Sequence, residues 1–167
     1  MKKALIFSDS HGKNENMFDV ISRYQQVDAI FHMGDIEGAA DKLTQSVNCA
    51  VCIVRGNCDF TSELPESRIV EFGGQRIAMC HGHRHLYSGN TDVLKYWGQE
   101  QKADIVMFGH THIPYLEQGE KITLLNPGSI STPRQEKKIP TYALLEIDGE
   151  GHTHFTMCEY LSQTPPI

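Results

Sequence analysis

The chain has 167 residues, a formal net charge of −6 and a sequence pI near 5.8. A chain of this length buries roughly two thirds of its unfolded surface and reads as one domain, residues 1–167. Its acidic balance argues against a general nucleic-acid or anionic-membrane binder, and no segment approaches the roughly 18 apolar residues of a membrane span.

The opening Met1-Lys2-Lys3-Ala4-Leu5-Ile6-Phe7 resembles a signal peptide only superficially. Its apolar stretch stops at Ser8-Asp9, too short for an h-region, so a cytoplasmic location is expected. The five cysteines are odd in number and lie mostly in apolar runs, as reduced core residues do. Cys49 and Cys52 form a C-x-x-C, but inside a strand-like run and with no second such pair, which speaks against a redox or zinc motif.

Residues 3–8 read as a buried strand that leaves through Asp9-Ser10-His11-Gly12. Asn14 or Asn16 can cap a helix whose Met17, Phe18, Ile21 and Tyr24 share a face. Residues 28–33 form a second strand delivering Gly34-Asp35, and residues 39–47 a weaker amphipathic helix. Residues 49–55 form a third strand delivering Gly56-Asn57-Cys58-Asp59. This alternation predicts right-handed crossovers and a parallel sheet.

The pattern then changes. Residues 68–72 and 75–80 flank Gly73-Gly74, a hairpin signal, and the second strand ends at His81. Asn90 can cap a helix carrying Val93, Leu94 and Trp97, interrupted by Gly98. Residues 105–108 form a strand running into Gly109-His110-Thr111-His112. Short strands at about 114–117 and 122–125 lead into Asn126-Pro127-Gly128-Ser129, a turn placed to support neighbouring loops. Residues 141–147 and 152–160 form a last hairpin, and the tail 163–167 should be loose. Two strand sets with few helices predict an α/β fold of two stacked sheets with helices outside.

Five apolar runs thus end in residues that ligate metals. Singly, Asn57 is an ordinary turn residue and Asp35 a helix cap. Together, Asp9, His11, Asp35, Asn57, His81, His110 and His112 offer two carboxylates, an amide oxygen and four imidazoles. That is too many donors for one zinc and too mixed a set for calcium. Two divalent transition metals sharing a carboxylate fit: Mn²⁺ first, with Fe²⁺, Zn²⁺, Ni²⁺ and Co²⁺ chemically open.

In this order, Asp9-x-His11, Gly34-Asp35, Gly56-Asn57-x-Asp59, His81 and Gly109-His110-x-His112 resemble the calcineurin-like metallophosphoesterases. Chain length, Gly56-Asn57-Cys58-Asp59 and Asn126-Pro127-Gly128-Ser129 resemble its small YfcE/YsnB-like phosphodiesterase branch. The resemblance implies a four-layer α-β-β-α sandwich of two stacked mixed sheets with flanking helices. It places one metal on Asp9, His11, Asp35 and His112, and the other on Asp35, Asn57, His81 and His110. The implied reaction is attack on a phosphodiester by a hydroxide held between the metals. The substrate would be a small molecule or an exposed diester, with a homo-oligomer open. A phosphomonoesterase, or an interaction scaffold resembling the retromer subunit of this fold, is the alternative.

The family's histidine that helps the leaving group is replaced here by Cys58, a weak donor. Asp59 reads as an orienter of the ligands, and His83 as a substrate contact or a support for them. His81-Gly82-His83-Arg84-His85-Leu86 does not complete the H-x-H-x-D-H signature of metallo-β-lactamases, because His85 and Leu86 replace Asp and His. His85 reads as a surface residue, His32 as buried at a strand end, and His152 and His154 as solvent-facing.

Overall fold

The computed structural model describes residues 1–60, 62–86 and 89–162; the tail 163–167 lies outside the described residues. The first half runs β1 (Lys2–Phe7), α1 (Glu15–Arg23), β2 (Ala29–His32), α2 (Ala40–Ser46) and β3 (Ala50–Ile53). It continues through β4 (Ser67–Phe72), β5 (Gln75–Cys80), α3 (Asp92–Glu100) and β6 (Ile105–Met107). β7 (Pro114–Gln118), β8 (Thr123–Pro127), β9 (Thr141–Ile147) and β10 (Thr153–Glu159) complete it.

Two five-stranded mixed sheets result, ordered β10-β9-β1-β2-β3 and β4-β5-β6-β8-β7. β1, β2 and β3 are parallel, as are β5, β6 and β8, so each sheet sends three strand ends the same way. β1 is apolar at every buried position because both its faces are covered. Ala4 and Ile6 meet Ile77, Met79, Ile105 and Met107 between the sheets. Leu5 and Phe7 point the other way, onto Met17 and Val20 of α1 and Leu43 of α2. A third apolar slab, with Ala78, Val106 and Leu124, lies under Leu94 and Trp97 of α3. The layers are therefore α-β-β-α.

Several local expectations change. Neither Asn14 nor Asn16 caps α1 through its side chain; Asn16 Nδ2 instead donates to Ile130 O at 2.9 Å. Asn90 Oδ1 accepts the Asp92 amide at 2.9 Å, although Thr91 is the capping residue of α3. Gly98 does not interrupt α3. A methyl group there would sit 2.4 Å from Ile122 Cδ1 and from Val106 Cγ2, so glycine lets the helix lie close on its sheet. Gly73 and Gly74 both hold positive φ, as a two-residue hairpin of the twist-matched kind requires. Cys49 packs toward the helices and Cys52 into the inter-sheet core, because three residues along a strand reverse the face. All five cysteines are free.

Candidate metal centre

The parallel strands place β1, β2 and β3 of one sheet against β5, β6 and β8 of the other at a common edge. Asp9 and His11 leave β1, Asp35 follows β2, and Asn57 follows β3. His81 follows β5, and His110 and His112 follow β6. The loops are sewn together by main chain: the amides of Asp9 and His11 donate to the carbonyls of Gly34 and Asp35 at 3.0 and 2.9 Å. Within the second sheet the Gly109 amide donates to His81 O at 3.0 Å, and between the sheets the His110 amide donates to Asp9 Oδ2 at 3.0 Å.

All seven donor groups converge. His112 Nε2 lies 3.2 Å from Asp9 Oδ1 and 3.1 Å from His11 Nε2. Asn57 Oδ1 lies 3.0 Å from both His81 Nε2 and His110 Nδ1. Between these two ends, Asp35 Oδ2 is 3.6 Å from His11 Nε2 and 3.3 Å from His81 Nε2. Asp9, Asp35, His81 and His112 are buried, while Asn57 is exposed and His11 and His110 are half-buried, so the cluster opens to solvent on one side.

The ring orientations are fixed from behind. His81 Nδ1–H donates to Met33 O and His112 Nδ1–H to Thr132 O, each at 2.7 Å, which leaves both Nε2 lone pairs facing the cluster. Asp59 ties neighbouring loops together through main-chain amides. Its Oδ2 accepts the amides of Asp35 and Gly56 and its Oδ1 that of Glu37, all at 2.8 Å. Five of the seven donors carry left-handed backbone: Asp9 (φ 53°), His11 (47°), Asp35 (56°), His110 (69°) and His112 (59°). Such residues cost about 1 kcal/mol or more each and persist where surrounding contacts over-determine them.

Those contacts come from residues beyond the seven donors. Ser8 Oγ donates to Asp9 Oδ2 at 2.6 Å, and Ser129 Oγ to Asp9 O at 2.7 Å. Ser131 Oγ donates to Ser10 O at 2.7 Å, and Glu37 Oε1 accepts from His11 Nδ1 at 2.9 Å. Asn126 Nδ2 donates to Gly109 O at 2.9 Å, so the 126–129 stretch does support the ligand loops, although Asn126 and Pro127 end β8.

The electrostatics favour a cation. Burial pushes the Asp9 carboxyl up, but the His112 imidazole and the charge of His81 outweigh it and hold the group low. Burial likewise opposes ionisation of Asp35, yet contact with His81 keeps it well below the usual range. His81 is desolvated too, but Asp35 and Asp9 raise its affinity for a proton. Asp9 Oδ1 is buried and accepts no hydrogen bond, with His112 Nε2 3.2 Å away and Nε2 of His11 and His81 each 3.8 Å away. A lone carboxylate oxygen ringed by imidazole nitrogens is the pattern that a divalent metal completes. The ligand atoms of Asp9, His11 and His112 lie within 4.8 Å of one another, as do those of Asp9, Asp35 and His81.

The remaining sites sort by contact. Cys58 Sγ lies 3.4 Å from Asn57 Nδ2, and the His83 ring centre 5.5 Å from that of His81. His83 Nδ1 is buried without a partner. His85 packs on Trp97 with ring centres 5.2 Å apart rather than lying free at the surface. His32 is fully buried between Ser10 Oγ and the Gly34 amide, each at 3.2 Å. His152 and His154 are exposed. Among the described residues no helix is long and apolar enough to cross a membrane.

Comparison with known proteins agrees with this geometry. Residues 1–150 match the calcineurin-like phosphoesterase superfamily domain. The chain is 32% identical over 153 residues to the probable metallophosphoesterase YsnB of Bacillus subtilis, covering 89% of this chain and 86% of that one. A Streptococcus pneumoniae protein described as a predicted phosphoesterase superposes with a TM-score of 0.83 at 36% identity, covering 95% and 90%. Two further structures share the fold at low identity. Vacuolar Protein Sorting 29 of Cryptosporidium parvum (TM-score 0.77, 19%) covers 96% of this chain and 98% of its own. An archaeal phosphodiesterase (0.71, 22%) covers 93% and 99%. The family works with divalent metal ions, and this chain carries the Asp and His groups to hold them. The chain belongs to the calcineurin-like phosphoesterase superfamily, and is a metal-dependent phosphoesterase by family.

Proposed function

We propose that the chain hydrolyses phosphodiesters with two divalent cations held by Asp9, His11, Asp35, Asn57, His81, His110 and His112. The observation that carries this reading is Asp35 Oδ2, which lies within 3.6 Å of the His11 ring and 3.3 Å of the His81 ring. One carboxylate oxygen between two donor groups suits a bridge between two ions. His11, Asp9 and His112 would serve one ion and Asn57, His81 and His110 the other. When bound, such ions neutralise phosphoryl oxygens and lower the pKa of water.

The chain's own residues supply the rest. Met33 O and Thr132 O hold the His81 and His112 rings with Nε2 forward, so the donors need no reorganisation when cations arrive. Asp59 locks the Asp35 and Gly56 amides and thereby the mutual position of the second and third ligand loops. His83, whose ring lies beside those of His81 and His110, would meet the substrate. The archaeal phosphodiesterase of the same fold supports diester rather than monoester chemistry. The likeness to Vacuolar Protein Sorting 29 favours a second reading, a scaffold that binds protein partners. A full donor set that opens to solvent on one side speaks for catalysis. The core joins helices and strands of both sheets, which supports reading residues 1–167 as one catalytic domain.

Elemental analysis and anomalous scattering of protein saturated with Mn²⁺, then Fe²⁺, Zn²⁺, Ni²⁺ and Co²⁺, should give two ions per chain. Asp35→Asn should weaken both, and His112→Ala mainly one. In the same preparations bis(p-nitrophenyl) phosphate should be hydrolysed faster than p-nitrophenyl phosphate. A single site under metal excess sinks the dinuclear reading, monoester preference sinks the diester reading, and inactivity with every metal supports the scaffold.

A further inference from the structure

We propose that Glu37 is a positioning residue that sets how tightly the His11 side of the centre holds its cation; this rests on the two-cation reading above. Three of the four imidazoles in the cluster are held from behind through Nδ1, but not by the same kind of acceptor. His81 and His112 donate to the neutral carbonyls Met33 O and Thr132 O. His11 donates instead to a carboxylate, Glu37 Oε1, at 2.9 Å. His110 turns its Nδ1 into the cluster, 3.0 Å from Asn57 Oδ1.

A carboxylate acceptor makes a charge-assisted hydrogen bond and returns electron density to the opposite ring nitrogen. The His11 Nε2 lone pair faces His112, Asp35 and Asp9. Glu37 therefore fixes the His11 tautomer and makes that nitrogen a stronger donor than a carbonyl partner would. It also places a further negative charge in hydrogen-bond contact with the His11 side of the centre.

Glu37 is itself held for this task. Its backbone has φ +48°, a conformation that side chains other than glycine adopt at a cost, and its amide donates to Asp59 Oδ1 at 2.8 Å. The other Asp59 oxygen takes the Asp35 and Gly56 amides. One buried carboxylate thus aligns both the bridging candidate Asp35 and the residue that orients His11. The Glu37 side chain is 35% exposed, at the rim, so its replacement opens no cavity in the core.

The test is equilibrium metal binding, with no substrate present. Metal-free chain is titrated with Mn²⁺ and with Zn²⁺ against a fluorescent chelator, for wild type, Glu37→Ala and Glu37→Gln, with the melting temperature of each metal-free protein as a fold control. Glu37→Ala should weaken one of the two binding steps by ~10–100-fold and leave the other unchanged. Glu37→Gln should weaken the same step less, because its amide oxygen still accepts the Nδ1–H. Unchanged affinities in Glu37→Ala overturn the proposal. So does equal weakening of both steps, or loss accompanied by a lower metal-free melting temperature. A wild type that binds one ion overturns the two-cation reading instead, and Glu37 is then judged on whether that single step weakens. A wild type that binds none overturns both.

Discussion

The Cys58 thiol lies within hydrogen-bonding reach of Asn57, and its amide donates to Asp35 Oδ1 at 2.8 Å. Burial and the Asp35 carboxylate push the thiol up to about 11, so at neutral pH it is protonated and carries no charge. A residue in that state neither stabilises a departing oxyanion as a cation nor gives up a proton readily. Activity should therefore fall steeply as the leaving group's pKa rises. Cys58→His should flatten that dependence, since a positioned general acid contributes ~10²–10⁴-fold. Rates for a series of substituted phenyl phosphodiesters check this. A shallow wild-type slope that steepens in His83→Ala would transfer the acid role to His83, and a shallow slope moved by neither substitution would end the argument. Which residues the fold brings together was legible where sequence neighbours announce them: Gly-Asp, Gly-Asn-x-Asp and Gly-His-x-His each follow an apolar run. Glu37 was not legible, and Ser129 only as part of a turn expected to support neighbouring loops. They act on His11 and Asp9 across 26 and 120 positions, and no local pattern encodes a contact of that range.

At the scale of elements, the sequence pattern located every strand to within about two residues: β1, β2 and β6 as unbroken apolar runs covered on both faces, the hairpin strands β4 and β10 by alternation and flanking turn residues. Helix ends were harder. The expected side-chain caps of α1 do not form, since Asn16 is drawn to Ile130 O across the fold and Asn14 leaves its side chain unbonded to the helix. Gly98 is the clearest case of tertiary demand overriding local preference. Read locally it breaks a helix; in place it is buried and lets α3 approach Val106 and Ile122. Gly98→Ala gains helix propensity worth up to ~1 kcal/mol, but forces side chains apart at a cost of ~1–3 kcal/mol. The variant should unfold at lower urea concentration than wild type with an unchanged slope. A higher midpoint would show that α3 can lift from the sheet without loss.

For the whole molecule, the two sheets share one edge at which buried charge and buried histidine are concentrated, and stability should report on both. Cations that bind only the folded chain raise its melting temperature with concentration, and chelation should reverse the rise. The metal-free protein should also lose stability in mildly acidic solution, and His32 is the residue to watch. It is fully buried, and burial holds it down to about 4 against an ordinary value of 6.5, despite the nearby Asp9 carboxylate. The unfolded chain then takes up this proton near pH 6.5, while the native chain resists until about pH 4. Unfolding is accompanied by proton uptake throughout that window, so stability present above pH 6.5 is lost as pH falls, by roughly 3 kcal/mol at most. Other groups titrate nearby. His83, His85 and His110 are shifted down as well, by burial first, whereas His81 is shifted up and acts above pH 6.5. The difference between wild type and His32→Asn isolates the one residue. An asparagine Oδ1 can take the place of Nδ1 as acceptor for the Gly34 amide, 3.2 Å away, but binds no proton. Urea unfolding of metal-free protein at steps from pH 7.5 to pH 4 should give a shallower decline in the variant, with the curves converging in shape above pH 6.5. Parallel declines across the whole range would mean that the buried imidazole contributes nothing to acid sensitivity, and that the loss arises among the histidines at the cluster.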